Sequence, residues 1–151
     1  MKLVSACLAG FPCRYDGKCL RRYPAVEELV RRGEAIPFCP EQMGGLCTPR
    51  SPAEICGGAG KEVLEGSARV LTREGMDVTD AYRRGAEEAL EACRRFSVDT
   101  AVLKARSPSC GCGAVYDGTF SHVLRSGDGV TAALLKRFGI AVITEEDFYE
   151  R

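Results

Sequence analysis

The sequence contains a single histidine, His122, and no tryptophan, and only 7% of its residues are aromatic. A lone histidine does not make a histidine-based catalytic or zinc site by itself, which excludes most histidine-dependent chemistry. The 21 basic and 21 acidic residues cancel, so the chain lacks the basic footprint of a dedicated nucleic-acid binder. No apolar stretch approaches the roughly 20 residues that cross a bilayer, and we expect no membrane partner.

Nucleotide-binding signatures and a secretory leader are also missing. GGAGK at 57–61 resembles a P-loop, but Glu62 stands where Ser or Thr should bind magnesium, and Ile55 where the first glycine belongs. No GxGxxG follows the first predicted strand, so the dinucleotide fingerprint is absent. The N terminus has neither the h-region nor the cleavage site of a signal peptide, which predicts a cytoplasmic protein.

Cysteine, in contrast, is abundant, with nine in 151 residues. In the cytoplasm thiols stay mostly reduced, and clustered cysteines there indicate metal binding or catalysis more often than a disulfide framework. Cys93 lies on the apolar face of a predicted helix and is interpreted as a buried structural thiol. The remaining cysteines are the first candidates for a functional site.

Strand patterns alternate with helix patterns along the chain. Apolar runs at 2–4, 35–38, 100–103 and 140–143 predict strands, and helical spacing predicts helices at 24–32, 79–96 and 130–138. This alternation predicts a single α/β domain over 1–151, a Rossmann-like open and mainly parallel sheet with helices on both faces. The Gly-, Pro- and Cys-rich stretch from 39 to about 60 predicts a long functional loop. Residues 63–72 predict a strand pair or hairpin over the site.

Three cysteines follow predicted strands: Cys7, Cys39 and Cys110. Ligands of open α/β sheets bind outside the carboxyl ends of the strands, so these thiols are expected to converge there. Tetrahedral zinc would need a fourth ligand, and the close CxxC pairs of structural zinc sites are absent. An iron-sulfur cluster also takes cysteine thiolates, and three of them leave one iron open for a substrate atom. Candidates for a fourth zinc ligand are Cys13, Cys47 and Cys112.

Three further residues near these cysteines have two interpretations each. Glu41 either acts at the site or caps the helix or loop that follows Pro40. Ser107 either contacts a ligand or completes a turn. Arg50 either contacts a phosphate or pairs with Glu54.

An ordered set of motifs covers nearly the whole chain and resembles domain of unknown function family 523. Members of that family include TudS-like thiouracil desulfidases, which remove sulfur from thiolated uracil with a 4Fe-4S cluster held by three cysteines. The motifs are VSACLAG at 4–10, RYDG at 14–17, FCPE at 38–41, GGL at 44–46, TPR at 48–50, PAEI at 52–55, SPSCG at 107–111, YDG at 116–118 and GVTA at 129–132.

This resemblance implies that Cys7, Cys39 and Cys110 bind a 4Fe-4S cluster with one open iron, and that Glu41 and Ser107 are the catalytic pair. It implies a non-redox reaction in which a thiolated pyrimidine becomes the oxo base and hydrosulfide. A free base, a nucleotide and thiolated transfer RNA remain open as substrates, and the neutral charge favours a small molecule. The alternative is a thiolate metal-binding or sulfur-carrying module without catalysis. The resemblance assigns no role to five cysteines, which are left as disulfides, free thiols or ligands: Cys13, Cys19, Cys47, Cys56 and Cys112.

Overall fold

The computed structural model describes residues 1–19 and 21–149. Within these ranges no helix is both long enough and apolar enough to span a membrane. In chain order the elements are β1 (Lys2–Ser5), a short 3-10 helix (Ala6–Ala9), α1 (Pro24–Arg31), β2 (Ala35–Phe38), α2 (Pro40–Met43), β3 (Ala53–Cys56), α3 (Gly60–Glu65), β4 (Arg69–Thr72), α4 (Thr79–Arg95), β5 (Thr100–Leu103), β6 (Ala114–Tyr116), β7 (Leu124–Ser126), α5 (Val130–Arg137), β8 (Ala141–Thr144) and α6 (Glu145–Tyr149).

Four of these strands form a parallel sheet in the order β2-β1-β5-β8. The predicted open α/β sheet is therefore confirmed, and all four strands begin and end within two residues of the predicted positions. Because neighbouring strands run the same way, the carboxyl ends of β1, β2 and β5 lie at one edge of the sheet. That edge carries the site described below.

Both faces of the sheet are covered, because successive side chains of a strand point to opposite sides. Leu3 belongs to the core that packs under α4 and α5, whereas its neighbour Val4 belongs to the core under α1. The same alternation separates Ala101 from Val102 on β5. Each strand therefore contributes to two hydrophobic cores, as the predicted helices on both faces require.

The region after β2 is more regular than predicted. Pro40 starts α2 at a first-turn position where its missing N–H is not needed, and β3 interrupts the expected long loop. The predicted strand pair over 63–72 is wrong in its first half. Val63 is a fully buried residue of the helix α3, which Gly66 ends with a positive φ of 88°. The second half is β4, whose antiparallel partner is β3.

Helices α2 and α4 pack against each other through glycine. A Cβ on Gly44 would overlap the carbonyl oxygen of Ala81, and a Cβ on Gly85 would overlap the carbonyl oxygen of Pro40. Only glycine allows the two backbones to approach so closely. This packing fixes the position of α2, which carries Glu41, against α4.

Candidate active site

A cavity of about 370 Å³ opens at the carboxyl edge of the parallel sheet. Cys7, Cys39, Cys110 and Cys13 all line it, and no other cysteine does so within the described ranges. Cys7 lies in the 3-10 helix after β1, Cys39 directly follows β2, and Cys110 lies in the loop after β5. Small-molecule sites are typically concave pockets of roughly 300–1,000 Å³, so this cavity has the size of a ligand site.

Three of the cavity thiols, those of Cys13, Cys39 and Cys110, are buried and have raised pKa values. Cys110 is 4% exposed, and burial raises the pKa of its thiol to about 12, with a further contribution from the negative charge of Glu41. A hydrogen bond with Cys13 raises the pKa of Cys39, and burial raises it further. Metals bind the thiolate form, so a metal entering this site displaces protons.

Cys13 is part of the same thiol group. It is 4% exposed and packs with Cys39 and Cys7 in a small buried cluster. The hydrogen bond with Cys39 lowers the pKa of Cys13, but the hydrogen bond with Cys7, burial and the charge of Glu41 outweigh it and raise the pKa to about 11. The Cys39 thiol also donates to the Cys13 carbonyl oxygen over 3.8 Å.

Ser107 begins a hydrogen-bonded chain that ends at a cysteine sulfur. Its hydroxyl accepts the backbone N–H groups of Ser109 and Cys110, each over 3.2 Å. The Ser107 and Ser109 hydroxyl oxygens are 3.0 Å apart, and the Ser109 hydroxyl donates to the Cys110 sulfur over 3.5 Å. Ser107 therefore has the turn role considered above, and because Ser109 gives its proton to Cys110, the Ser107 hydroxyl donates its own proton to Ser109.

Glu41 lines the cavity and is held at both carboxylate oxygens. Tyr82 donates its phenol proton to Oε1 over 2.8 Å, and Arg50 donates from Nη2 to Oε2 over 3.0 Å. Burial raises the pKa of Tyr82 well above its usual range, and the charge of Glu41 adds to the rise, so the phenol remains a donor. The two donors orient the carboxylate at the cavity wall.

Arg50 pairs with Glu41 instead of the predicted partner Glu54. Glu54 accepts the backbone N–H groups of Gly118 and Phe120 over 3.0 and 3.1 Å, which ties β3 to the loop before β7. Arg50 is drawn inward because it also donates to the Cys13 carbonyl oxygen over 2.9 Å. The local sequence gives no signal of either contact, since the partners lie on separate segments.

Basic and aromatic side chains also line the cavity. Lys104 and Arg106 are paired with the carboxylates of α6, at 2.9 and 2.7 Å. His122 is exposed and meets the ring of Tyr116 edge-on, with 6.1 Å between ring centroids. A planar heterocycle has ring faces to stack on here, and an anionic group has cations nearby. Other side chains of the lining include Arg14, Tyr15, Arg73 and Phe120.

The other five cysteines lie outside the cavity lining. In the described part of the chain all nine cysteines of the protein are free thiols. Cys93 is buried in the core under α4, as predicted. Cys47 and Cys112, considered as zinc ligands, are not among the residues that line the cavity. Across residues 1–19 and 21–149, no three His, Cys, Asp or Glu side chains form a group that could hold a single metal ion. The sulfur ligands of a cluster bind different irons and stand farther apart than ligands of one ion.

Known proteins resemble this chain over nearly its whole length. The family model described as 2-thiouracil desulfurase matches residues 3–147. An uncharacterized protein YbbK from Bacillus subtilis strain 168 is 46% identical over 147 residues, which are 97% of each chain. A solved structure of the [4Fe-4S]-dependent thiouracil desulfidase TudS (DUF523Vcz) is 44% identical, with a TM-score of 0.86, and covers 98% of this chain and 92% of its own.

Proposed function

The chain belongs to the 2-thiouracil desulfurase family, and from this premise we propose that it removes sulfur from a thiolated pyrimidine. The products are the oxo base and hydrosulfide. Water supplies the oxygen, the sulfur leaves with the electron pair of its bond to carbon, and no electron is transferred. The observation that carries the proposal is the arrangement of three cysteine thiols and an oriented carboxylate around one cavity.

We propose that Cys7, Cys39 and Cys110 hold a 4Fe-4S cluster. The donor set fits this group, because soft thiolates are the usual ligands of iron-sulfur clusters. These three thiols come from separate segments and line one cavity. When bound, a cluster with one iron free of cysteine supplies a Lewis acid that binds and polarises the thiocarbonyl sulfur.

Glu41 is proposed as the general base that takes a proton from the attacking water. Its carboxylate oxygens are held by Tyr82 and Arg50, so it is already oriented before substrate enters. Ser107 is proposed to donate a hydrogen bond to the heterocycle. Two backbone N–H groups already occupy the lone pairs of the Ser107 oxygen, so this hydroxyl is a donor, and its proton would turn from Ser109 to the heterocycle.

The cavity supports a small thiolated pyrimidine or its nucleotide as the substrate. Its size is that of a small-molecule pocket, and the balance of charges on the chain favours a small molecule over transfer RNA. Arg14 and Arg73 of the lining are proposed to bind the phosphate of a nucleotide substrate. Comparing kcat/KM for thiouracil, its nucleotide and a thiolated transfer RNA will rank the three.

The experiment that tests this proposal replaces Glu41 with Gln in the cluster-loaded protein. We expect Glu41→Gln to keep the iron and sulfide content of the wild type and to lose turnover, because an amide does not accept the proton of water. Glu88→Gln, on the exposed face of α4, is the matched control and retains activity. If the wild type carries its cluster and releases no sulfide from any thiopyrimidine, the non-catalytic thiolate module is the correct function instead.

A further inference from the structure

The loop between β6 and β7 brings strained backbone to the wall of the cavity. Within residues 1–19 and 21–149, the non-glycine residues with a positive φ are Ser97, Arg106, Phe120 and His122. Phe120 and His122, with φ of 57° and 59°, lie two positions apart in this loop, and both line the cavity. Glycine or asparagine adopts such a conformation at little cost, whereas a bulky residue is strained in it. Strained residues cluster at ligand sites, so this loop is a candidate for substrate binding.

The Glu54 carboxylate holds this loop from the neighbouring strand β3. Its Oε1 accepts the backbone N–H groups of Gly118 over 3.0 Å and of Phe120 over 3.1 Å. Glu54 and Phe120 are 66 positions apart in the sequence. The loop also passes so close to β3 that a Cβ on Gly118 would overlap the Ile55 carbonyl oxygen. Contacts from outside the loop therefore fix the strained backbone of Phe120.

Packing in a hydrophobic core does not account for the Phe120 ring. The side chain is half-buried, and among the described residues it belongs to none of the hydrophobic cores. Instead it lines the cavity, where the Arg73 guanidinium lies 5.8 Å from its ring centroid. The chain thus places an aromatic ring at a strained position on the cavity wall, where the ring can contact a ligand.

We propose, on the premise of the function proposed above, that Phe120 stacks on the pyrimidine ring of the substrate and that Glu54 is the positioning residue that holds Phe120 there. Stacking on an aromatic side chain uses the flat face of a base and does not depend on the groups at its edge. Phe120 therefore binds the thiolated base and its oxo product equally. Such uniform binding lowers KM and leaves kcat unchanged.

The test compares the cluster-loaded wild type with replacements at Phe120 and Glu54. Phe120→Leu removes the ring and stays apolar, whereas Phe120→Tyr keeps the ring. Glu54→Ala removes the acceptor of the two N–H groups, whereas Glu54→Gln keeps an oxygen that accepts them. Phe96→Leu is the matched control, because Phe96 is 49% exposed and is not part of the cavity lining. Kinetics with 4-thiouracil give kcat and KM, and isothermal titration with uracil gives a Kd without turnover.

We expect Phe120→Leu to raise both the KM for 4-thiouracil and the Kd for uracil about tenfold, within the range for stacking on one aromatic ring. Its kcat changes far less than its KM. Glu54→Ala raises the same two constants, and the double variant is no weaker than Phe120→Leu alone, because Glu54 acts through Phe120. Phe120→Tyr, Glu54→Gln and Phe96→Leu stay close to wild type.

Unchanged KM and Kd in Phe120→Leu would overturn the stacking of Phe120 on the base. A loss of kcat in Glu54→Gln would overturn the positioning role, because the charge of Glu54 would then be needed. Thermal melting checks the fold of every variant, and if Glu54→Ala unfolds, Phe120→Leu and Phe120→Tyr still decide the proposal. A wild type that binds uracil and leaves 4-thiouracil intact would instead refute the proposed function.

Discussion

Replacing Tyr82 with Phe tests whether the Glu41 carboxylate is held as the structure shows. Tyr82 is 3% exposed, and its phenol donates to Glu41 Oε1 over 2.8 Å. Phenylalanine keeps the ring in the core and removes only the hydroxyl, so the packing is unchanged. The carboxylate then keeps Arg50 on one oxygen and has no donor on the other among residues 1–19 and 21–149.

The size of the effect follows from the charge and partial burial of this contact. Hydrogen bonds to charged groups contribute roughly 1.5–3 kcal/mol to stability. The Glu41 side chain is 17% exposed, so water partly replaces the phenol and we expect the lower end, about 1.5 kcal/mol. In a protein of this size that loss lowers Tm by about 3–6 °C. A similar loss of orientation in the transition state would lower kcat about tenfold.

Two assays check these values independently. Denaturant unfolding of the apo protein gives the free energy of unfolding, and the decay of the thiocarbonyl absorbance gives kcat and KM of the loaded enzyme. Tyr149→Phe is the matched control, since its side chain is 41% exposed. In a double-mutant cycle with Glu41→Gln, the unfolding free energies should show coupling between the two sites. Additive stabilities together with an unchanged kcat in Tyr82→Phe would refute the reasoning.

Two more predictions concern packing and thiol reactivity. A Gly→Ala replacement inside a helix ordinarily stabilises a protein by about 0.5–1 kcal/mol. Gly85→Ala should instead lower the unfolding free energy by about 1–3 kcal/mol, because the new Cβ overlaps the Pro40 carbonyl oxygen. A higher unfolding free energy for this variant would contradict the close approach of α2 and α4. In the apo protein an aromatic disulfide reagent should modify the exposed Cys19 and Cys47 first and the buried Cys93 and Cys110 last, because burial and raised thiol pKa values protect them. Mass spectrometry identifies the order, and early labelling of Cys110 would contradict its burial.

Much of the sheet could be predicted from the sequence because its signals are local. Each strand is a short apolar run, and Cys7, Cys39 and Cys110 follow three of those runs closely enough to reach the same edge. The segment with Val63 was misassigned, because a short apolar run fits a strand and a buried helix equally well. Packing of this segment against α5 favours the helix over the strand, and that contact cannot be read from the apolar run itself.

The contacts that orient the site could not be predicted, because they join distant segments. Tyr82 is 41 positions from Glu41, and in the sequence it is simply one apolar residue of an amphipathic helix. Arg50 donates to the backbone carbonyl oxygen of Cys13, which is 37 positions away. Every residue has such an oxygen, so the residue type at position 13 does not predict this contact. The glycine contacts between α2 and α4 bring Tyr82 to Glu41, and they become visible only in three dimensions.

The central claim is that three cysteines hold a cluster that supports desulfuration. The most direct measurement is anaerobic reconstitution with iron and sulfide, followed by addition of 4-thiouracil or its nucleotide while the thiocarbonyl absorbance and released hydrosulfide are recorded. We predict loss of the band with one hydrosulfide per base, in the wild type and in Cys19→Ala, and no loss when Cys7, Cys39 or Cys110 is replaced by Ser. A cluster that forms while the band persists, or turnover that survives these Ser replacements, would contradict the account.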